Sequence, residues 1–180
     1  ITLLPGERKN VPLPVPDAPS LNALCLCGAA PGKTLVVTAG VHDCEYVGIQ
    51  ALRRLAADLD PARLSGNVIL LPLANPSAFY AGAKQVVPED GVNLNRAFPG
   101  NSAGPLSARL AFALEAALYP EADLLADLHS GDCSETLHPL VFFPAAGKKM
   151  VNQVSLDAAK VLTVPYRVRS TAKNGLYSWA

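Results

Sequence analysis

The chain has 180 residues, half of them apolar, with 15 basic and 15 acidic side chains and a formal net charge of zero. This is an ordinary soluble composition sized for one domain with a sizeable core. Balanced charge without any Lys/Arg cluster argues against a nucleic-acid or anionic-membrane partner, which would need a concentrated basic face.

No apolar run approaches the roughly eighteen residues of a membrane span. The opening ITLLPGERKN lacks the charged-then-apolar layout of a secretory signal. Cys25, Cys27, Cys44 and Cys133 make neither a CxxC pair nor a repeating framework, so they read as reduced thiols. These features point to a cytoplasmic protein.

In chain order, the Pro-rich lead NVPLPVPDAPSLNALCLCGAAPGK reads as edge strands and turns. Thr34 to Thr38 is a β-branched, wholly apolar run, the pattern of a strand buried on both faces. From Glu45, apolar Ile49, Leu52, Ala56 and Leu59 recur at three and four, predicting an amphipathic helix closed by Asp60-Pro61. After Gly66, NVILLPLAN predicts a second buried strand. Residues 77–104 show no sustained period, and so long a loop in a compact domain is usually functional.

Pro105 opens a second helix with Leu106, Leu110, Leu114 and Leu118 on one stripe, ended by Pro120. ADLLADLHSG, LHPLVFFP and VPYRVR predict three further strands, with MVNQVSLDAAKVL helical between the last two. NGLYSWA reads as the start of another helix, which suggests that the sequence is the N-terminal part of a longer protein. Strands alternating with helices predict an α/β fold: a mixed, largely parallel central sheet with helices on both faces. Ligands in such sheets bind beyond the carboxyl ends of the strands, where His42, the loop after Asn75, and His129 all fall.

His42 and Glu45 stand three apart at the mouth of the first buried strand. Alone, His-x-x-Glu commonly marks no more than a solvated helix start. His129, at the end of another strand, brings a second imidazole to the same sheet edge. Catalytic zinc takes three ligands of the His/Glu type and leaves a fourth position for water. His42, Glu45 and His129 supply that set, while Cys44 between them is expected to face the other way. In EDGVNLNRAFPG, Arg96 has few local carboxylates to pair with. It either staples its loop or, assisted by Asn95, grips a ligand carboxylate. His138, opening an apolar strand, reads as a packed or edge histidine.

The ordered set HxxE, NLNRxFPG and DLHSG, together with NPSAF, resembles the zinc carboxypeptidase superfamily, and more closely its succinylglutamate desuccinylase/aspartoacylase branch, from about Leu35 through Pro144. The resemblance implies one zinc ion per chain on His42, Glu45 and His129, with Asn95 and Arg96 holding a substrate carboxylate. It also implies hydrolysis by zinc-activated water of an amide, or sometimes an ester, in a small substrate such as an N-acyl amino acid. Rival readings are a carboxypeptidase acting on peptide C-termini and a zinc- or ligand-binding module without turnover. Oligomeric state is not legible.

Three departures from the family pattern stand out. Asn93 occupies the position where members usually have an Asp that supports a zinc-binding His. Where members carry a carbonyl-polarising Arg upstream of the clamp, only Lys84 is nearby, which makes it the candidate. The general-base Glu expected on a later strand has no match, since Glu135 is too close to His129, so the base is expected beyond Ala180. Asp132 and Glu135 read as substrate-site or solvated loop residues.

Overall fold

The structure is a computed structural model that describes residues 1–172 and Gly175. A five-stranded sheet forms its centre, in the order β1-β2-β4-β3-β5. β1 (Arg8–Val15) and β2 (Ala18–Cys27) form an antiparallel hairpin, and β2 pairs antiparallel with β4 (Ser65–Leu71). β3 (Ala30–Ala39) lies parallel between β4 and β5 (Leu124–Leu128). The sheet is therefore mixed, with three parallel strands and an antiparallel hairpin along one edge.

Alternation along β3 and β4 divides the core. Val36, Ile69 and Leu71 face one side, and Val37, Ala39 and Leu70 the other. α1 (Tyr46–Asp58) covers the second side with Ile49 and Leu52. α3 (Leu106–Leu118) covers the first with Leu110, Leu114 and Leu118, each at most 3% exposed. Burying each such leucine stabilises the fold by about 1.5–3 kcal/mol. Helices on both faces were expected, and the predicted bounds of both helices match closely. The start of α3 follows Pro105, which offers no side-chain cap; the Asp90 carboxylate, 17 residues back, accepts from Ser107 N–H at 2.8 Å instead.

Some elements differ from the sequence reading. The Pro-rich lead forms two long strands, and β2 is interior because its second edge pairs with β4. The irregular stretch after Ser77 contains α2 (Pro76–Ala81), capped by the Asn75 side chain, and a short 3-10 turn, Leu94–Arg96. Both are too short to show a period. β6 (Leu140–Pro144) and β7 (Tyr166–Ser170), joined by α4 (Lys149–Val161), were expected as further strands of the central sheet. They pair in parallel with each other in a separate two-stranded sheet. Periodicity identifies strands but not their partners, which explains the difference. The helix read into NGLYSWA lies outside the described residues, apart from Gly175. Among the described residues no helix is long and apolar enough to cross a membrane.

The carboxyl ends of β3 and β5 are in register, with Thr38 opposite Asp127 and Ala39 opposite Leu128. Beyond β3 the chain turns at Gly40, whose φ of 66° favours glycine. The turn is stitched to the end of β4 by Ala74 N–H to Ala39 O at 3.0 Å and Asn75 N–H to Gly40 O at 2.9 Å. This positions residues 42–45 beside residue 129.

Candidate metal centre

His42, Glu45 and His129 meet at this edge, each offering a ligand atom, with the three atoms within 4.8 Å of one another. One Glu45 oxygen lies 2.8 Å from His42 Nδ1; the other lies 2.7 Å from His129 Nδ1 and accepts from Ser130 N–H at 3.0 Å. The two rings stand edge to face, 4.9 Å between centroids. Gly40 delivers the first pair, the end of β5 delivers the third residue, and α1 begins directly after Glu45.

The outer nitrogens are held as well. His42 Nε2 is 3.1 Å from Asn93 Oδ1, and His129 Nε2 is 2.8 Å from Asp127 Oδ2. Asp127, with its side chain 1% exposed, also accepts from the buried Thr38 hydroxyl at 2.6 Å. Donation from Nε2 to these acceptors leaves the Nδ1 of each neutral ring as its ligating atom.

Electrostatics favour a positive charge among these groups. Burial opposes charge on His129, but the hydrogen bonds to Asp127 and Glu45 outweigh it and push the imidazole up to about 10. Burial likewise works against ionised Glu45, yet the bonds from His129, His42 and Ser130 N–H bring it down to about 2. A proton on His129 meets this demand, and so does a divalent cation facing both Nδ1 atoms and Glu45. Two imidazoles and a carboxylate are the donor types zinc takes, and the outer nitrogens are braced as metal-bound histidines require, so the residues present fit the ion.

The structure places the other candidates individually. Asn93 caps the Leu94–Arg96 turn, its Oδ1 accepting from Asn95 N–H at 2.8 Å. Asn95 is buried, while Arg96 is exposed and donates to Asn95 O at 2.9 Å. Lys84 is outside the three-residue group; its ammonium pairs at 2.5 Å with Asp132, whose carboxyl it holds below the usual range. Beside it, Gln85 N–H donates to the buried Asp43 at 3.1 Å. The loop after α2 is thus fastened to both ligand-bearing turns. Cys44 is buried and outside the group, its thiol pushed up by burial. His138 stacks edge-on against Tyr166 at 6.1 Å.

Asp127, Thr38 and Ser130 were not anticipated. A signal for Asp127 was present: in Asp-x-His at a strand end the two side chains share a face.

The mixed α/β fold that carries this group at its carboxyl edge is shared with other solved structures. A metallo-carboxypeptidase from Burkholderia cenocepacia shares the fold with a TM-score of 0.69 over 96% of this chain and 51% of its own, at 19% identity. The chain belongs to the succinylglutamate desuccinylase/aspartoacylase catalytic domain family, whose model matches residues 31–178. It is similar to the N-alpha-acetyl-L-2,4-diaminobutyric acid deacetylase of Halomonas elongata, 34% identical over 137 residues, 76% of this chain and 40% of that protein. An aspartoacylase family protein from Mesorhizobium loti matches with a TM-score of 0.81 and 29% identity, over 98% of this chain and 57% of its own. The chain thus spans about half the length of the relatives it matches.

Proposed function

We propose that the chain is a zinc-dependent catalytic domain that hydrolyses the amide bond of a small N-acyl amino acid, as a deacylase. The observation that carries this reading is the His42–Glu45–His129 group, with Asn93 and Asp127 fixed behind its imidazoles. Family membership and the similarity to a diaminobutyrate deacetylase support the amide bond and the acyl amino acid as the substrate class. Zinc in such a set supplies Lewis acidity and makes water nucleophilic near neutral pH.

The chain's residues have separate tasks on this reading. His42 and His129 hold the metal through Nδ1 and Glu45 through its carboxylate, while Asp127 and Asn93 keep the tautomers that expose those nitrogens. Asn95 and Arg96 anchor the substrate carboxylate, which fixes the scissile bond relative to the centre and supplies the orientation part of catalysis. Arg96 makes no ion pair among the described residues, so its guanidinium is available for that role. Lys84 is committed to Asp132 and acts as a brace for the ligand-bearing turns. No described residue is assigned as the general base.

Elemental analysis of the purified protein tests the reading, together with hydrolysis of N-acetyl and N-succinyl amino acids by this chain and by the complete gene product. About one zinc per chain, lost in His42→Ala and His129→Ala, is the expected result. Unchanged zinc content in either variant overturns the ligand assignment. Zinc without turnover of any acyl amino acid by either protein overturns the deacylase reading.

A further inference from the structure

One oxygen joins two parts of the site. Asn93 Oδ1 accepts from Asn95 N–H at 2.8 Å and lies 3.1 Å from His42 Nε2. A backbone N–H can only donate, so the atom facing both groups is the amide oxygen, and the His42 nitrogen that meets it is the donor. The first bond caps the Leu94–Arg96 turn, which bears the two residues proposed to grip a carboxylate. The second fixes the ring of a proposed metal ligand 51 positions away.

We propose that Asn93 couples the metal centre to the carboxylate clamp, so that zinc loading at His42 and the ordering of the Leu94–Arg96 turn strengthen each other through its Oδ1. The inference rests on the zinc reading above and deepens it. The physical ground is shared geometry. A His42 ring fixed at Nδ1 holds its Nε2–H in one direction, which holds Oδ1 in the place where Asn95 N–H needs its acceptor. Conversely, an ordered turn keeps Oδ1 where it selects the Nε2–H tautomer. Coupling of this kind is reciprocal, because each event raises the equilibrium constant of the other by the same factor. Asp127, which backs the other imidazole, bonds to Thr38 in the sheet and, among the described residues, makes no such link to the clamp.

Two readouts on the folded protein test the proposal: zinc affinity by competition with a chromophoric chelator, and amide hydrogen exchange at Asn95 with and without zinc. In the parent chain, zinc is expected to slow exchange at Asn95. In Asn93→Ala that response disappears and the zinc dissociation constant rises by about 10–100-fold, the range for removing a group that orients a metal ligand. Asn93→Asp, which keeps an acceptor for both donors, restores both. Binding of L-2,4-diaminobutyrate, a carboxylate probe that is not hydrolysed, should respond to zinc less in Asn93→Ala than in the parent.

Zinc that binds normally in the parent while leaving Asn95 exchange unchanged overturns the coupling alone. So does an Asn93→Ala chain with parental zinc affinity. His42→Ala separates the two levels: if that variant binds zinc like the parent, the ligand assignment has failed and the coupling fails with it.

Discussion

Replacing Asp127 with alanine removes two hydrogen bonds at once and tests the centre from behind. Its carboxylate accepts from His129 Nε2 at 2.8 Å and from the Thr38 hydroxyl at 2.6 Å, and its side chain is 1% exposed. Without it the His129 ring is free to rotate and to take the tautomer that protonates Nδ1. Loss of such a partner weakens metal binding about 10–100-fold, or roughly 1.4–2.7 kcal/mol. The fully buried Thr38 hydroxyl also loses its acceptor, which costs about 1–3 kcal/mol of folding stability. Asp127→Asn should do less harm to both, because the amide oxygen can face His129 while its NH2 donates to Thr38. The assay is zinc competition with a chelator alongside denaturant unfolding of the zinc-free protein. An Asp127→Ala chain that binds zinc within about twofold of the parent, where the reasoning asks for at least about tenfold, refutes the orienting role.

Arg96→Ala should keep its zinc but bind carboxylate ligands about 10–100-fold more weakly, the loss of a charged hydrogen-bonded grip; intact carboxylate binding would remove Arg96 from the clamp. Zinc uptake at neutral pH should release a proton, because His129 is pushed up to about 10 and must give up its Nδ1 proton to the metal. Calorimetry in buffers of different ionisation enthalpy reads this directly, and heats independent of buffer would contradict it. For the zinc-free chain, the raised His129 contributes stability in full below its unfolded value of 6.5, and this is lost as pH rises through about 10. The lowered Glu45 contributes in full above 4.5, and this is lost as pH falls toward about 2. Unfolding midpoints should therefore draw most from this group between pH 4.5 and 6.5, and His129→Ala should flatten both limbs. Gly66→Ala should destabilise by more than about 2 kcal/mol, since Gly66 has a φ of 82° and an added Cβ would lie 2.1 Å from Lys33 O; a near-neutral variant in denaturant unfolding would show that β3 and β4 can part there.

Much of the fold was legible because its main elements are long enough to declare a period. The Leu106–Leu118 stripe and the β-branched run at Thr34–Thr38 specify a helix and a buried strand without knowledge of their neighbours. Pairing was harder to read. β6 carries the same apolar pattern as a central strand, yet its partner is β7, a choice made by hydrogen-bonding edges that no local pattern encodes. The three residues that meet at the centre were legible as a donor set at two strand ends. Asp127 was not, because metal-ligand chemistry points to the atoms that would touch an ion and only strand geometry points to the atoms behind them. Lys84 was named because family members carry an Arg upstream of the clamp; in the fold its ammonium pairs with Asp132.

The acidic groups around the centre differ in what their oxygens already do, and this bears on where proton transfer can occur. Glu45 engages both oxygens with the two imidazoles and Ser130 N–H. Asp127 engages both with His129 and Thr38. Asp132 is held by Lys84, and Glu135 turns back to accept from Asp132 N–H at 3.4 Å. A general base needs an oxygen within hydrogen-bond reach of the proton it removes and a pKa near the working pH. Glu45, brought down to about 2, is far below that range, and moving it or Asp127 would dismantle the bonds that orient the imidazoles. The described residues furnish, on the deacylase reading, a set to hold a metal and a turn to anchor a carboxylate, while Glu45, Asp127 and Asp132 already engage oxygens with the imidazoles, Ser130, Thr38 and Lys84. On the deacylase reading, turnover should depend on an acidic group outside this set. That is why activity has to be compared between this chain and the complete gene product, while zinc affinity can be read on the chain alone.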